Sequence, residues 1–186
     1  YAHTNKNRLL VLFNYCIGMT RKRLRNEGHA FNTRGILNNH YSSSAGLITS
    51  FPKFCSKRFA KQLISLSENV GFSLDDFNKK YKQSTYDIEV DKFPLIKSCL
   101  IHSNLLQSVS TAIFQSHKKQ LVSFNDIFIV KYDSKIQRGL IRHVDAGDTS
   151  FMLALSSRKS FIGGGTKFDV LHEILHLEQG ELVTFD

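Results

Sequence analysis

Two short histidine-bearing patterns in this chain could do chemistry. His143-Val144-Asp145 sets an imidazole and a carboxylate two residues apart. Alternate residues of an extended strand share a face, so this spacing aims both groups at one point. One nitrogen and one anionic oxygen are two of the three donors of a 2-His-1-carboxylate triad, which holds iron(II) on one face and leaves the opposite positions open. The plainer alternative is a surface ion pair. The second pattern, His172-Glu173-Ile174-Leu175-His176, is a literal H-E-x-x-H. On a helix it would place two imidazoles one turn apart on zinc with a glutamate base beside them. That zinc-protease reading needs a third ligand, and the residues after His176 contain no histidine. Gln179 stands where the longer metalloprotease form requires glycine, and Leu175 and Leu177 alternate as in a strand. His172 and His176 are therefore expected on an exposed strand or loop, with the zinc protease kept as the alternative.

The elements that must position these residues follow from periodicity. Phe51-Pro52 is expected to open a helix running to about Val70, with Phe59, Leu63 and Leu66 at spacings of four and three on its apolar face and Gly71 as its stop. Pro94 starts a second expected helix reaching about Lys119, whose apolar face is Leu95, Cys99, Leu106, Val109, Ile113 and Phe114. His102 and His117 fall in or near it and read as surface or capping residues. Residues 72–93 are polar, with the charges of Asp75, Asp76, Lys79, Lys80 and Lys82 on a solvated face. Beyond Gln120 the period becomes that of strands. Ile127, Ile129 and Lys131 alternate with Phe128, Val130 and Tyr132. Leu140–Asp145, Ser150–Leu155 and Glu181–Phe185 are further expected strands. Gly163-Gly164-Gly165 marks a turn or a close backbone approach. Helices followed by closely spaced short strands predict an α+β chain in which helices pack on a β-sandwich of jelly-roll type.

The order Asp126-Ile127-Phe128-Ile129-Val130-Lys131-Tyr132, Gln137, Leu140, His143-x-Asp145, Ser150-Phe151, Ala154-Leu155, Phe161-x-Gly163-Gly164-Gly165-Thr166-x-Phe168 and Gln179-Gly180-Glu181 resembles the Fe(II)/2-oxoglutarate dioxygenases. The similarity is to the prolyl 4-hydroxylase and lysyl hydroxylase branch, and a looser likeness extends upstream through Ser84-Thr85-Tyr86-Asp87-Ile88 to about Pro52. The resemblance implies N-terminal helices packed on a double-stranded β-helix (jelly roll), incomplete at the C-terminus. It implies His143 and Asp145 as iron ligands, with Tyr132 and Thr166 facing 2-oxoglutarate. The family's second histidine, and the basic residue that grips the far carboxylate of the co-substrate, are expected beyond Asp186. A substrate-side loop is expected within residues 72–93. The implied reaction consumes dioxygen and 2-oxoglutarate, hydroxylates a prolyl or lysyl residue of a protein or peptide, and releases succinate and carbon dioxide, with L-ascorbate keeping the iron reduced. A non-catalytic jelly-roll binding module is the remaining alternative.

The 186 residues fit one domain plus an extension, and 41% apolar content supports a sizeable core. Net charge is +9, but the cations are spread along the chain without an aromatic-basic repeat, so no specific nucleic-acid partner is expected. Cys16, Cys55 and Cys99 are odd in number and far apart, which argues against a disulfide framework or a zinc knuckle. Residues 49–186 are expected to form the dioxygenase-like unit and residues 1–48 an N-terminal extension. In that extension the apolar run from Leu9 to Met19 is too short for a bilayer, which needs about 20 residues. It reads as a targeting core or as a short helix burying Leu9, Phe13 and Ile17. Asn38–Ser44 reads as a linker. No membrane span is expected.

Overall fold

A computed structural model describes residues 8–14, 39–43, 46–74, 85–119, 123–124, 126–145 and 147–186, with side chains described from residue 48 onward. The strands are β1 (Arg8–Asn14), β2 (Asn39–Ser43), β3 (Gly46–Phe51), β4 (Ser73–Leu74), β5 (Tyr86–Glu89), β6 (Asp126–Tyr132), β7 (Ser150–Ala154), β8 (Thr166–Lys167), β9 (Ile174–Leu175) and β10 (Leu182–Phe185). The helices are α1 (Lys57–Val70), α2 (Pro94–His102) and α3 (Leu105–His117). Eight strands form one sheet in the order β2-β3-β10-β7-β1-β6-β5-β4, and β8 pairs with β9 separately. Every pairing is antiparallel. The chain is therefore α+β, as the order of periodicities predicts.

Strand alternation divides the interior into two apolar layers. On one face Ile127 and Ile129 of β6, Phe151 and Leu153 of β7, Leu182 of β10 and Phe51 of β3 meet Ala60 and Leu63 of α1, Ile96 and Leu100 of α2 and Val109, Ala112 and Ile113 of α3. The register makes this a continuous row, because Leu182 lies opposite both Leu153 and Phe51. On the other face Val130, Tyr132, Met152, Ala154, Val183 and Ile48 pack with Leu175 and Leu177, joined by the partly buried Leu140, Phe168 and Leu171. The helices thus cover one face, and the β8–β9 arm lies on the other.

Several elements differ from their sequence expectation. Phe51-Pro52 ends β3 and enters a turn, and α1 begins only at Lys57, where Ser56 caps it by accepting the Phe59 N–H at 3.1 Å. Gly71 stops α1 as expected, at φ +87. The single helix from Pro94 breaks into α2 and α3 at Ser103-Asn104. Asn104 takes φ +55, a conformation asparagine tolerates better than most residues. The break turns Leu95 and Phe114 outward, at 64% and 56% exposure. Leu140–Asp145 forms no strand.

The expected extension does not stand apart. Of the run Leu9–Met19, expected as a short helix or targeting core, the described part Leu9–Asn14 lies in β1, a strand paired with β6 on one side and β7 on the other. Two neighbours satisfy its backbone in a way that a local spacing of four cannot reveal. The linker reading at Asn38–Ser44 yields to β2, which pairs with β3, and the boundary expected at residue 48 falls inside β3. Ile17 and the charges from Asp75 to Lys82 lie outside the described residues. Among the described residues no helix is long and apolar enough to cross a membrane.

Candidate functional site

His143 and Asp145 sit in an irregular segment after Leu140, whose side chain is seated in the second apolar layer. Despite the missing strand the two side chains converge: His143 Nε2 lies 3.4 Å from Asp145 Oδ1, with 25% and 15% of the side chains exposed. The imidazole orientation is set locally, because His143 Nδ1 is 2.8 Å from the Ile141 carbonyl oxygen. A carbonyl oxygen only accepts, so Nδ1 must carry the proton. The bare lone pair of a neutral His143 is then at Nε2 and faces the anionic Asp145 oxygen. Two acceptors at this separation repel unless a proton or a cation lies between them. The same geometry raises the His143 pKa above its ordinary 6.5, chiefly through the Asp145 hydrogen bond, with the Ile141 carbonyl helping and burial opposing.

The two donors are close enough together to share a metal ion. Ligand bonds of about 2.1 Å would let one ion bridge donors up to about 4.2 Å apart, and the observed 3.4 Å is inside that reach. An Nδ1–H donated to a backbone carbonyl is also the usual way a metal-bound imidazole is held in its tautomer. Among the described residues no group of three or more His, Cys, Asp or Glu side chains gathers around one point, so this pair has no third protein ligand there.

The expected co-substrate residues border the second apolar layer. Tyr132 ends β6 with only 9% exposure and packs in the layer with Met152. Thr166 opens β8, and its hydroxyl reaches the Met152 sulfur at 3.5 Å. The two residues therefore share one side of the sheet. Ahead of Thr166, Gly163, Gly164 and Gly165 all take positive φ, at +80, +72 and +106. A side chain at Gly165 would collide with Ile174 and the His176 ring. The glycine run thus makes the close approach that its sequence suggests.

Other residues of the resemblance prove to be structural. The Gln137 side-chain oxygen accepts the Tyr86 N–H at 2.5 Å, joining the end of β6 to β5. Gln179 and Gly180 form the turn into β10: Gln179 Nε2 donates to the Leu155 carbonyl at 2.8 Å and Gly180 N–H to the Ala154 carbonyl at 2.7 Å. Glu181 accepts from the Ser50 hydroxyl and from the Glu178 N–H.

The zinc-protease pattern is not assembled. His172 through His176 is bend and strand rather than helix, and both histidines are exposed. The one-turn spacing that H-E-x-x-H needs is absent, and Gly180 belongs to the turn before β10 instead of capping a helix. A cavity of about 480 Å³ along α1, lined by Lys57, Arg58, Lys61, Gln62 and Ser65, shares no residue with the candidate site.

Two groupings escaped the sequence reading. The His117 side chain is fully buried and not a surface residue: Nε2 is 3.0 Å from Thr184 Oγ1, and Nδ1 is 3.0 Å from Asp186 Oδ1. Lys119 and Thr149 reach the same carboxylate oxygen, each at 2.9 Å. Thr184 is itself fully buried, so this row ties α3 to β10 and offers a substrate no access. Arg142 grips Asp169 through Nε and Nη2, at 2.9 and 2.6 Å to Oδ2. No local pattern signals either grouping, since each joins residues far apart in the chain. Compared with protein-family models, curated proteins and solved structures, the chain matches none.

Proposed function

We propose that the chain is the core of an Fe(II)- and 2-oxoglutarate-dependent dioxygenase that hydroxylates a prolyl or lysyl side chain of a protein, its sheet and β8–β9 arm belonging to a double-stranded β-helix. The observation that carries this reading is the His143–Asp145 pair, whose Nε2 lone pair and carboxylate face one another at 3.4 Å with the imidazole tautomer set from behind. A metal cation between the two donors would be held by both. Bound Fe(II), maintained by ascorbate, would supply dioxygen activation with 2-oxoglutarate as electron donor, so that substrate C–H, O2 and 2-oxoglutarate yield substrate C–OH, succinate and carbon dioxide.

The residues have separate tasks in this reading. His143 would present a ring nitrogen to the metal, and Asp145 would neutralise one of its two charges. Tyr132 and Thr166 offer hydroxyls on the side of the sheet that carries the second apolar layer, where a small dicarboxylate can be oriented. That layer also limits water, which protects a reactive centre from side reactions. Val144, 94% exposed between the two ligands, gives a polypeptide substrate an apolar contact beside the reacting position.

The deciding experiment measures Fe(II) binding and Fe(II)-dependent conversion of 2-oxoglutarate to succinate in the full-length protein and in its His143→Ala and Asp145→Ala variants. Both properties should disappear in the two variants. Iron binding that survives Asp145→Ala, or wild-type protein that binds none, refutes the proposal and leaves a binding module as the better description.

A further inference from the structure

The charges of α1 are placed against its own stability. Lys57, Arg58 and Lys61 occupy its first two turns, and its first turn holds no acid. The N-terminal end of a helix dipole is positive, so cations destabilise it where acids would help. Lys57 and Lys61 are also four residues apart, where like charges repel. The helix has a single acid, Glu68, which Lys131 engages at 2.7 Å. Among the described residues none of the three cations has an ion-pair partner. All three are exposed and line the cavity of about 480 Å³ together with Gln62 and Ser65. Lys57, Lys61 and Ser65 form one row about 12 Å long at 1.5 Å per residue, the reach of about four residues of extended chain.

A second cavity, of about 260 Å³, opens beside the same turn, and its residues Ser56 and Phe59 flank Lys57 and Arg58 in sequence. Phe54 and Phe59, packed on the main core, and the buried Leu105 give it apolar walls. Its hydroxyls are already engaged. Ser56 accepts the Phe59 N–H at 3.1 Å, while Ser103 donates to the Leu100 carbonyl and Ser108 to the Asn104 carbonyl, each at 3.0 Å. Its volume is below the roughly 300 Å³ at which whole-ligand sites begin and suits one apolar side chain. We propose that this turn of α1 is a docking surface for an acidic segment of a partner protein. The partner's carboxylates lie along Lys57, Arg58 and Lys61, and an adjacent leucine or phenylalanine fills the smaller cavity. A lipid surface would need a protruding apolar stripe, and none of the exposed large apolar side chains lies on α1. A nucleic acid would match the cations but would bring no apolar side chain to the second cavity. Because α1 packs on the helix side of the sheet, away from the layer that seats Leu140, this surface does not rest on the dioxygenase reading.

The test is fluorescence anisotropy of the full-length protein with a labelled hexapeptide, Glu-Asp-Glu-Glu-Leu-Phe, and with the same residues in reverse order. Wild type should bind at least one of them, more weakly as added salt screens the cations. Lys57→Glu combined with Lys61→Glu should weaken that binding by about tenfold or more and leave the circular dichroism spectrum unchanged. Replacing the peptide's Leu-Phe by Ser-Ser should weaken it by a similar factor. Wild type that binds neither peptide, or a double variant that binds as wild type does, overturns the proposal. Equal affinity for the Ser-Ser peptide also overturns it, because net charge alone would then explain the attraction. An oligothymidylate that displaces the peptide and loses affinity in the double variant makes the surface a nucleic-acid one. A wild-type dimer that the double variant lacks in sedimentation makes a second copy of the chain the occupant. Either result overturns the acidic partner.

Discussion

Gly180→Ala is the substitution whose effect the structure fixes most closely. Gly180 has φ +84, and a Cβ there would collide with the Cys55 carbonyl oxygen, a backbone atom that cannot swing aside. The same approach carries a hydrogen bond from the Cys55 N–H to the Gly180 carbonyl at 3.0 Å. A left-handed conformation costs a side-chain-bearing residue about 1–2 kcal/mol, and losing the hydrogen bond adds about 0.5–1.5 kcal/mol. The sum is roughly 1.5–3.5 kcal/mol, equivalent in a chain of this size to a fall in Tm of about 3–14 °C. Two companions separate the terms. Gly163 has φ +80 with nothing near its virtual Cβ, so Gly163→Ala should show the conformational cost alone. Gly139 has ordinary φ and open space, so Gly139→Ala should be neutral or slightly stabilising. Urea and thermal unfolding of the three variants give the comparison. If Gly180→Ala falls no further than Gly163→Ala, the Cys55 backbone yields and the steric argument is wrong.

Two predictions concern buried charge. Burial lowers the His117 pKa below 6.5, against the opposing pull of Asp186 and with help from Lys119. The unfolded state then binds the extra proton first, so stability should fall as pH drops from 6.5 toward the folded-state value. Urea midpoints should show this slope in wild type and lose it in His117→Gln. Lys131, whose side chain is 9% exposed, pairs with Glu68 at 2.7 Å and lies 5.1 Å from the Phe72 ring centre. Glu68→Gln strands that ammonium and should cost about 1–3 kcal/mol in chemical denaturation. Lys131→Met removes the charge while keeping the packing and should cost less; the reverse ranking would refute the assignment.

Features that depend on short-range periodicity were legible without any tertiary contact. Alternation in Asp126–Tyr132 and Ser150–Leu155 set which side chains face the helices, and the apolar face around Leu63 fixed α1. The glycine run predicted a bend because only glycine takes three successive positive φ values without strain. The His143–Asp145 convergence was legible too, although strand alternation was the wrong reason for it: a carbonyl-held imidazole in a loop brings the pair together. Tertiary structure decided what depends on distant partners. Arg8–Asn14 could be told from a helix only by the two strands that flank it, whereas the non-helical reading of His172–His176 already follows from the alternation of Leu175 and Leu177, and the pairing of Ile174–Leu175 with Thr166–Lys167 agrees with it. The buried His117 row and the Arg142–Asp169 pair join residues 27 to 69 positions apart, counted from 142 to 169 and from 117 to 186. Their energy comes from burial and Coulomb attraction across space, and one-dimensional spacing carries no record of either.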